Sequence, residues 1–412
     1  MSSTLRSQID STTSSSPPTQ LAIVLLAWSA TSSNSPQELI SHTSGHTHLD
    51  EKKSHPVTLD SIFRLASCTK LITSLAALRL VQAGKLSLDD SEIISTHLPE
   101  LVVQEVFTSA PGEPFTYKKR KNPITLRALL THSSGSGIDL IDERLKAWRK
   151  ARGERSLTLT GPVAEAHSVP LLFEPGEGWV YGGGLDWAGL LVERVSGIRF
   201  GEFLRKEIFD IVGCDERIGF MGDLRSAGIS EEDIVQTVTR KGDGSGSLKA
   251  WPTVSSKAEL GGGGLLASSR NFGKVLRDLI AGESRLLERR WIDALFEPQF
   301  EEGGMAVLAL RKSVPVFRQM TGPLTDSITP EGVNHGLGGM VIREDSEVLG
   351  KTTGTMTWGG AFSCMWFVNR EQGVAAYYAS NVFPPMDPPT SKLTNEFIKE
   401  VWTKAGKDRV NS

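Results

Sequence analysis

Apolar runs typical of β-strands lie near both ends of this chain. The run "LAIVLLAW" at residues 21–28 is too short to span a bilayer, and a second strand is predicted over 38–46. Three further strand-like runs follow in the last third, at 337–344, 362–369 and 373–380. Because these runs must bury their apolar faces together, their placement predicts one antiparallel sheet built from both ends of the chain.

A mainly helical stretch separates the two groups of strands, with helical spacing at 186–197 and 200–212. We therefore predict an α/β (α+β) protein, an antiparallel sheet flanked by helices with an inserted helical region. Residues 1–85 and 255–412 should form the α/β domain, and residues 86–254 the insertion.

Composition narrows the functional classes. The formal charge of −3 over 412 residues gives no electrostatic reason to bind nucleic acid. Cys68, Cys214 and Cys364 form no CxxC pair, which favours a reducing, cytoplasmic location. The polar first 20 residues are unlike a signal peptide, so we expect a protein without a membrane span.

The stretch "FRLASCTKLITSLAALRLVQAGK" places Ser67 and Lys70 at the start of an apolar helix predicted to end near Ala83. Residues three apart on a helix share a face, so the lysine amine can reach the serine hydroxyl. Burial and the helix N-terminus both favour the neutral amine that a general base needs. The alternative is an N-cap serine beside a surface lysine.

Tyr181 is the second candidate, in "PGEGWVYGGGLDWAGLLVERVSG" at residues 175–197. Three glycines follow it before a predicted helix, and such glycines let the backbone approach a ligand closely and leave the phenol in a cleft. The alternative is a core tyrosine at a tight turn.

Other motifs carry less information. Four histidines lie close together but lack the HExxH spacing of a zinc protease, so an exposed hairpin is the preferred interpretation: His42, His46, His48 and His55. We predict no metal and no cofactor. No serine is framed as GxSxG, which excludes the α/β-hydrolase nucleophile elbow.

Four segments follow one another in the order found in the serine β-lactamase-like superfamily: "RLASCTKLITSLAALRLVQAGKLSLDD", "ITLRALLTHSSG", "EPGEGWVYGGGLDWAGLLVERVSG" and "TWGGAFSCMWFVNREQGVAAYYASN". From about residue 20 to 405 the chain resembles class C β-lactamases, family VIII carboxylesterases and, more narrowly, the fungal lovastatin-type acyltransferases (transesterases). This resemblance implies a β-lactamase/transpeptidase-like fold.

The resemblance also implies roles for the candidate residues. Ser67 takes the position of the acyl nucleophile, Lys70 that of its activating partner, and Tyr181 that of the proton-transferring tyrosine. The backbone N–H groups of Ser67 and Ala361 would form the oxyanion hole.

The third motif of the superfamily lines the opposite wall of the site. Trp358, Gly359 and Gly360 fill that position here, as a similar triplet does in the esterases and the acyltransferase. The sequence KTTG at 351–354 looks like the β-lactamase triplet but lies too far upstream of the last strands.

Two departures argue against β-lactam hydrolysis. Gly183 stands where β-lactamases have an asparagine, and Trp358 stands in place of the cation that would hold an antibiotic's carboxylate. We expect an apolar substrate-binding wall from Trp358, Phe362 and Trp187. His132, in "LLTHSSG", matches a position that is more often structural than catalytic, and we assign it no role.

Together these features predict a ping-pong acyltransferase of secondary metabolism. The resemblance implies an ester or thioester donor, on an acyl-carrier protein or coenzyme A, and a small-molecule natural-product alcohol as acceptor. The main alternative is a carboxylesterase that uses water with the same residues. A non-catalytic binding protein of the same fold is the third alternative.

Overall fold

The computed structural model describes residues 1–30, 35–110, 112–253, 255–318, 320–324 and 326–411. The helices are α1 (Ser3–Ser14), α2 (Thr69–Gln82), α3 (Ser91–His97), α4 (Pro99–Val102), α5 (Leu126–Leu130), α6 (Glu143–Ala151), α7 (Val163–His167), α8 (Gly184–Ser196), α9 (Phe200–Leu204), α10 (Met221–Ser226), α11 (Ser269–Ile280), α12 (Arg289–Phe296), α13 (Met305–Phe317) and α14 (Pro388–Asn411). The strands are β1 (Ala22–Ser29), β2 (Gln37–Gly45), β3 (Ile62–Arg64), β4 (Val106–Phe107), β5 (Tyr117–Lys118), β6 (Ile218–Gly219), β7 (Val238–Arg240), β8 (Leu248–Ala250), β9 (Leu266–Ser268), β10 (Val333–His335), β11 (Met340–Ile342), β12 (Met356–Gly359), β13 (Met365–Asn369) and β14 (Val374–Ala379).

The main sheet has seven strands in the order β10-β11-β12-β13-β14-β1-β2. Every neighbouring pair is antiparallel. Its strands come from residues 22–45 and 333–379, so the predicted sheet built from both ends of the chain is confirmed. The helices of the insertion, α3 to α10, lie between these two parts in the sequence. The proposed domain limits at residues 85 and 255 stay a prediction.

Helices cover both faces of this sheet. Along β1, Val24 and Leu26 point into the main core with α2 and α11, while Ile23 and Leu25 point into a second core with α14. Successive residues of a strand face opposite sides, so a strand covered on both sides needs an uninterrupted apolar sequence. This explains the run at residues 21–28.

Helix α2 lies inside the protein. Its residues from Thr69 to Leu78 are all buried, and it packs between the sheet and α8. This burial accounts for the apolar sequence of the predicted helix, because a helix enclosed on all sides needs small or apolar residues all round. The nucleophile segment at its N-terminus is held by this central helix.

Two local predictions need correction. The predicted strand at 337–344 contains only β11, Met340–Ile342, because the chain first turns back from β10 and this turn closes with a 2.8 Å hydrogen bond from the Gly336 N–H to the Gly339 carbonyl. The exposed hairpin expected around the four histidines is wrong for His42, which lies on β2 of the main sheet with its Nε2 2.9 Å from Asp10 Oδ1 of α1.

None of the helices in the described ranges is long and apolar enough to cross a membrane. Within the same ranges, no group of three or more His, Cys, Asp or Glu side chains could hold a metal ion. The three cysteines are free thiols. A cytoplasmic location stays a prediction.

Candidate active site

The structure brings together the three residues singled out in the sequence. Ser67 lies in a 3-10 turn, Ala66–Cys68, that leads directly into α2. Its hydroxyl is hydrogen-bonded to the Tyr181 hydroxyl, and the Lys70 amine lies 3.3 Å from Ser67 Oγ. Ala66, just before the serine, has φ of +44°, a strained conformation for alanine that is typical of functional sites.

The Lys70 amine is buried, with 6% of the residue exposed, and it lies 4.6 Å from the centre of the Tyr181 ring. It donates a 2.6 Å hydrogen bond to the Gly262 carbonyl. Gly262 belongs to the glycine run at 261–264, and a Cβ added there would approach Asp186 Oδ2 to 2.6 Å. The glycine lets the backbone enter between α2 and α8 and hold the amine.

Asp186 on α8 fixes this backbone segment. Its Oδ1 accepts a 2.8 Å hydrogen bond from the Gly262 N–H, and its Oδ2 lies 3.3 Å from His167 Nε2. That second contact has the separation of an ion pair rather than of a well-aligned hydrogen bond. Burial raises the pKa of Asp186, but His167, Lys70 and the Gly262 N–H outweigh it and hold the pKa below its usual value. The carboxylate is therefore charged.

His132 positions the tyrosine segment, a role that the sequence did not indicate. Its carbonyl accepts a 3.1 Å hydrogen bond from the Val180 N–H, and its Nδ1 accepts one of 3.3 Å from the Gly182 N–H. Burial, with smaller effects of His335 and Lys70, lowers the pKa of His132 well below its usual value. A neutral ring with Nδ1 as acceptor carries its proton on Nε2.

The three glycines after Tyr181 serve the fold rather than a ligand. A Cβ at Gly182 would lie 1.8 Å from the Ser136 carbonyl oxygen, and one at Gly184 would lie 2.3 Å from that of Leu129. At Gly183 a Cβ would lie 2.3 Å from His167 Nδ1, so the β-lactamase asparagine has no room here. The predicted close approach is real, but the partner is the protein's own chain.

The predicted oxyanion-hole segment packs against the nucleophile turn. A Cβ at Gly360 would lie 2.4 Å from the Leu65 carbonyl oxygen, so only glycine allows this approach. Ala361 follows directly. Among the described residues, no hydrogen bond uses the N–H of Ser67 or of Ala361, which leaves both donors available to a substrate oxyanion.

The third-motif position is occupied by the end of β12, where Trp358 and Gly359 lie. The Trp358 ring lies 5.7 Å from the Tyr181 ring and stacks at 5.5 Å on Phe317, the last residue of α13. The KTTG sequence precedes β12 in a turn, where Thr352 Oγ1 donates to the Glu344 carbonyl. Phe317 was not predicted, because nothing in the sequence of α13 marks it.

The accessible apolar surface differs from the predicted wall. Trp358 is only 3% exposed, and Trp187 is fully buried in the main core, so its burial does not support the predicted substrate contact. Phe362, the third residue of the predicted wall, begins a row of aromatic rings. Its ring lies 6.1 Å from Phe383, which stacks at 4.8 Å on Trp251, a residue 39% exposed. We call Phe362, Phe383 and Trp251 the aromatic shelf.

Cys68 does not compete with Ser67 as a nucleophile. Its thiol is fully buried, and burial, together with the nearby Cys364, raises its pKa well above the usual value. Because the thiolate is the reactive form of cysteine, this side chain is inert.

Comparisons with known proteins find similar acyltransferases and an esterase. Acyltransferase calJ of Penicillium decumbens is 31% identical over 350 residues, which cover 85% of this chain and 82% of that protein. The lovastatin esterase of Penicillium rubens is 34% identical over 356 residues, covering 83% and 85%. The solved structure of a simvastatin synthase (LovD) from Aspergillus terreus, in its LovD6 mutant form, matches with a TM-score of 0.84 and 25% identity, covering 98% of this chain and 95% of that one.

The family model described as Beta-lactamase matches residues 37–398. This match includes all three candidate catalytic residues, the central helix α2 and every strand of the main sheet except β1. The chain therefore belongs to the beta-lactamase family, on a branch whose relatives include fungal acyltransferases and an esterase.

Proposed function

We propose that this protein is a serine acyltransferase that moves an acyl group from an ester or thioester to an alcohol through an acyl-enzyme on Ser67. The observation that carries the proposal is the contact of Ser67 Oγ with both Tyr181 and the buried amine of Lys70. A nucleophile in hydrogen-bond reach of its base is the mark of covalent catalysis.

In the first half-reaction, Ser67 Oγ attacks the carbonyl carbon of the donor and its proton passes to the Lys70 amine. The two free backbone N–H groups hold the negative charge of the tetrahedral intermediate. The bond from the carbonyl carbon to sulfur or oxygen then breaks, and the leaving group takes up the proton through Tyr181.

In the second half-reaction, the hydroxyl of the acceptor replaces the leaving group. As the new C–O bond forms, the Tyr181 oxygen takes this proton while its own proton passes to the Lys70 amine. Lys70 then returns a proton to Ser67 Oγ as the Ser67–acyl bond breaks. Water in place of the alcohol would give the free acid. The partition between these outcomes depends on how well the acceptor is held beside the acyl-enzyme.

The aromatic shelf supports a bulky apolar acceptor. It starts at Phe362, next to the proposed oxyanion donor Ala361, and ends at the exposed ring of Trp251. Such rings offer a large apolar area with little conformational entropy to lose. The name of one relative, acyltransferase calJ, supports acyl transfer. A natural-product alcohol as acceptor and a carrier-bound or coenzyme A thioester as donor belong to the same proposal.

Carboxylesterase activity is the second candidate, because a lovastatin esterase shares 34% identity with this chain. The catalytic residues would be the same, so only the fate of the acyl group separates the two functions. Mass spectrometry after incubation with an activated ester would first show whether Ser67 becomes acylated, and an unmodified Ser67 would instead support a non-catalytic protein.

We expect the isolated acyl-enzyme to hydrolyse slowly and to turn over at least about tenfold faster with a hydrophobic polycyclic alcohol, because the effective molarity of an alcohol oriented beside the acyl group exceeds the molar concentration of bulk water. Initial rates at several donor and acceptor concentrations should give parallel lines, with acylated alcohol in place of free acid. Trp251→Ala should raise the acceptor KM several-fold and leave the hydrolysis of a small ester unchanged, since Trp251 lies outside the catalytic contacts. If a broad panel of alcohols is never acylated and free acid forms at the full rate, the esterase function is correct.

Tyr181→Phe should lower turnover by about 100-fold, the usual size of general acid–base assistance, because it removes only the hydroxyl that contacts Ser67. The ring contacts with Phe317 and Trp358 are kept, so the melting temperature should stay near that of the natural protein. Tyr117→Phe is the matched control, because it removes the hydroxyl of a tyrosine that lies in β5, outside the candidate site. Full activity in Tyr181→Phe would make Tyr181 a packing residue.

A further inference from the structure

A small cavity lies against Lys70. It measures about 10 Å³, which is close to the space that one water molecule needs. Its walls include Lys70, Ser74, His132, His335 and Trp358. All five of these side chains carry a polar atom, and the rest of the wall is formed by Leu130, Leu185, Gly338 and Gly339. The polar atoms offer the hydrogen-bond partners that a single water molecule needs.

His335, the last residue of β10, presents a hydrogen-bond acceptor in this wall. Its Nδ1 lies 2.5 Å from the Gly336 carbonyl oxygen, and a carbonyl only accepts, so Nδ1 carries the proton. Burial lowers the pKa of His335 to about 4, which keeps the ring neutral near pH 7. Nε2 is therefore a lone-pair acceptor, it is fully buried, and it has no hydrogen-bond donor among the described residues.

The Lys70 amine has the complementary requirement. As a neutral base it has two N–H bonds and one lone pair. The lone pair must face the Ser67 hydroxyl, 3.3 Å away, and one N–H is taken by the Gly262 carbonyl. The second N–H has no acceptor among the described residues, and a buried donor without a partner is costly.

We propose that the cavity is a binding site for one water molecule, which accepts the second N–H of Lys70 and donates to His335 Nε2. His335 is then a positioning residue that acts through Lys70. The bridge leaves the lone pair of the amine a single direction, toward Ser67. Tyr181, Ser67, Lys70, the water and His335 thereby form one directional chain of hydrogen bonds. This inference rests on the proposed role of Lys70 as the base.

Three substitutions at position 335 test the bridge. His335→Asn keeps a donor to the Gly336 carbonyl but is too short to reach the cavity, and His335→Phe fills the volume without an acceptor. Both should lower kcat/KM for a p-nitrophenyl ester about tenfold, which is the rate factor that corresponds to the net free energy of one hydrogen bond. His335→Gln places an amide oxygen where Nε2 lies and should restore the rate to within about threefold.

Two further measurements separate a positioning role from a structural one. On a Lys70→Met background, His335→Phe should cause no additional loss of residual activity, because its effect passes through Lys70. A high-resolution crystal structure should show one water within hydrogen-bond distance of both Lys70 Nζ and His335 Nε2. A dry cavity, or full activity in His335→Phe with an unchanged melting temperature, would overturn the proposal.

The same series distinguishes this inference from the proposed function. If Lys70→Met is inactive while His335→Phe and His335→Asn keep the full rate, the water bridge alone is wrong. If Lys70→Met stays active, the general-base role is wrong and the bridge is wrong with it.

Discussion

Ser67→Ala should abolish turnover of ester substrates, with a loss of at least about 10⁴-fold, because removing a nucleophile costs as much as removing its whole catalytic group. The Ser67 hydroxyl contacts Tyr181 and Lys70, and no other side chain is held between those two groups in the described structure. The measurement is hydrolysis of a p-nitrophenyl ester, with the acylated peptide followed by mass spectrometry.

Cys68→Ala is the matched control, because it changes the neighbouring residue and removes a thiol that is fully buried. It should keep most of the activity, and the acyl group should still be found on Ser67. A Ser67→Ala protein that retains more than a few per cent of activity, beside a Cys68→Ala protein that loses it, would contradict the assignment of the nucleophile.

Lys70→Arg should be nearly as damaging as Lys70→Met, with losses of about 10³-fold in kcat, within the range of general-base assistance. Guanidinium stays protonated at any pH at which the protein is folded, so it cannot accept the serine proton. The longer arginine side chain would also have to place its guanidinium group between Ser67 and the Gly262 carbonyl, whose oxygen lies 2.6 Å from the Lys70 amine.

Lys85→Arg, on the exposed segment after α2, provides the control for the same chemical change outside the site and should leave activity unchanged. Melting curves of all three variants would show whether loss of activity reflects unfolding. A folded Lys70→Arg protein with normal turnover would show that a positive charge is enough at this position and that Lys70 is not the base.

Much of the site follows from local sequence. The spacing of Ser67 and Lys70 fixes their relative position once α2 forms, because residues three apart share a face of any α-helix. The order of strand-like and helical segments likewise predicts the sheet, since period-two and period-3.6 patterns are properties of a short stretch of chain. The position of the third motif at Trp358–Gly360 is implied by the resemblance to the esterases and acyltransferases, and the distance to the last strands excludes only the KTTG sequence.

The residues that sequence reasoning missed act through contacts distant in the chain. Asp186 holds Gly262, 76 positions away, and His132 holds the backbone on either side of Tyr181. The glycine run at 261–264 signalled a close approach but not its partner. Nothing local distinguishes His132 or His335 from a core histidine, because their roles arise from the groups that face them.

The sequence alone therefore predicted the proximity of Ser67 and Lys70 and the strands at 21–28, 38–46 and 373–380, because each depends on residues close together in the chain. Only the tertiary structure decided which faces of the helices and the sheet contact one another. It brought Tyr181 onto Ser67 across 114 positions, buried Trp187 in the core and placed His335 behind Lys70. Periodicity specifies that a face is buried, whereas the group it meets depends on how whole helices and sheets pack.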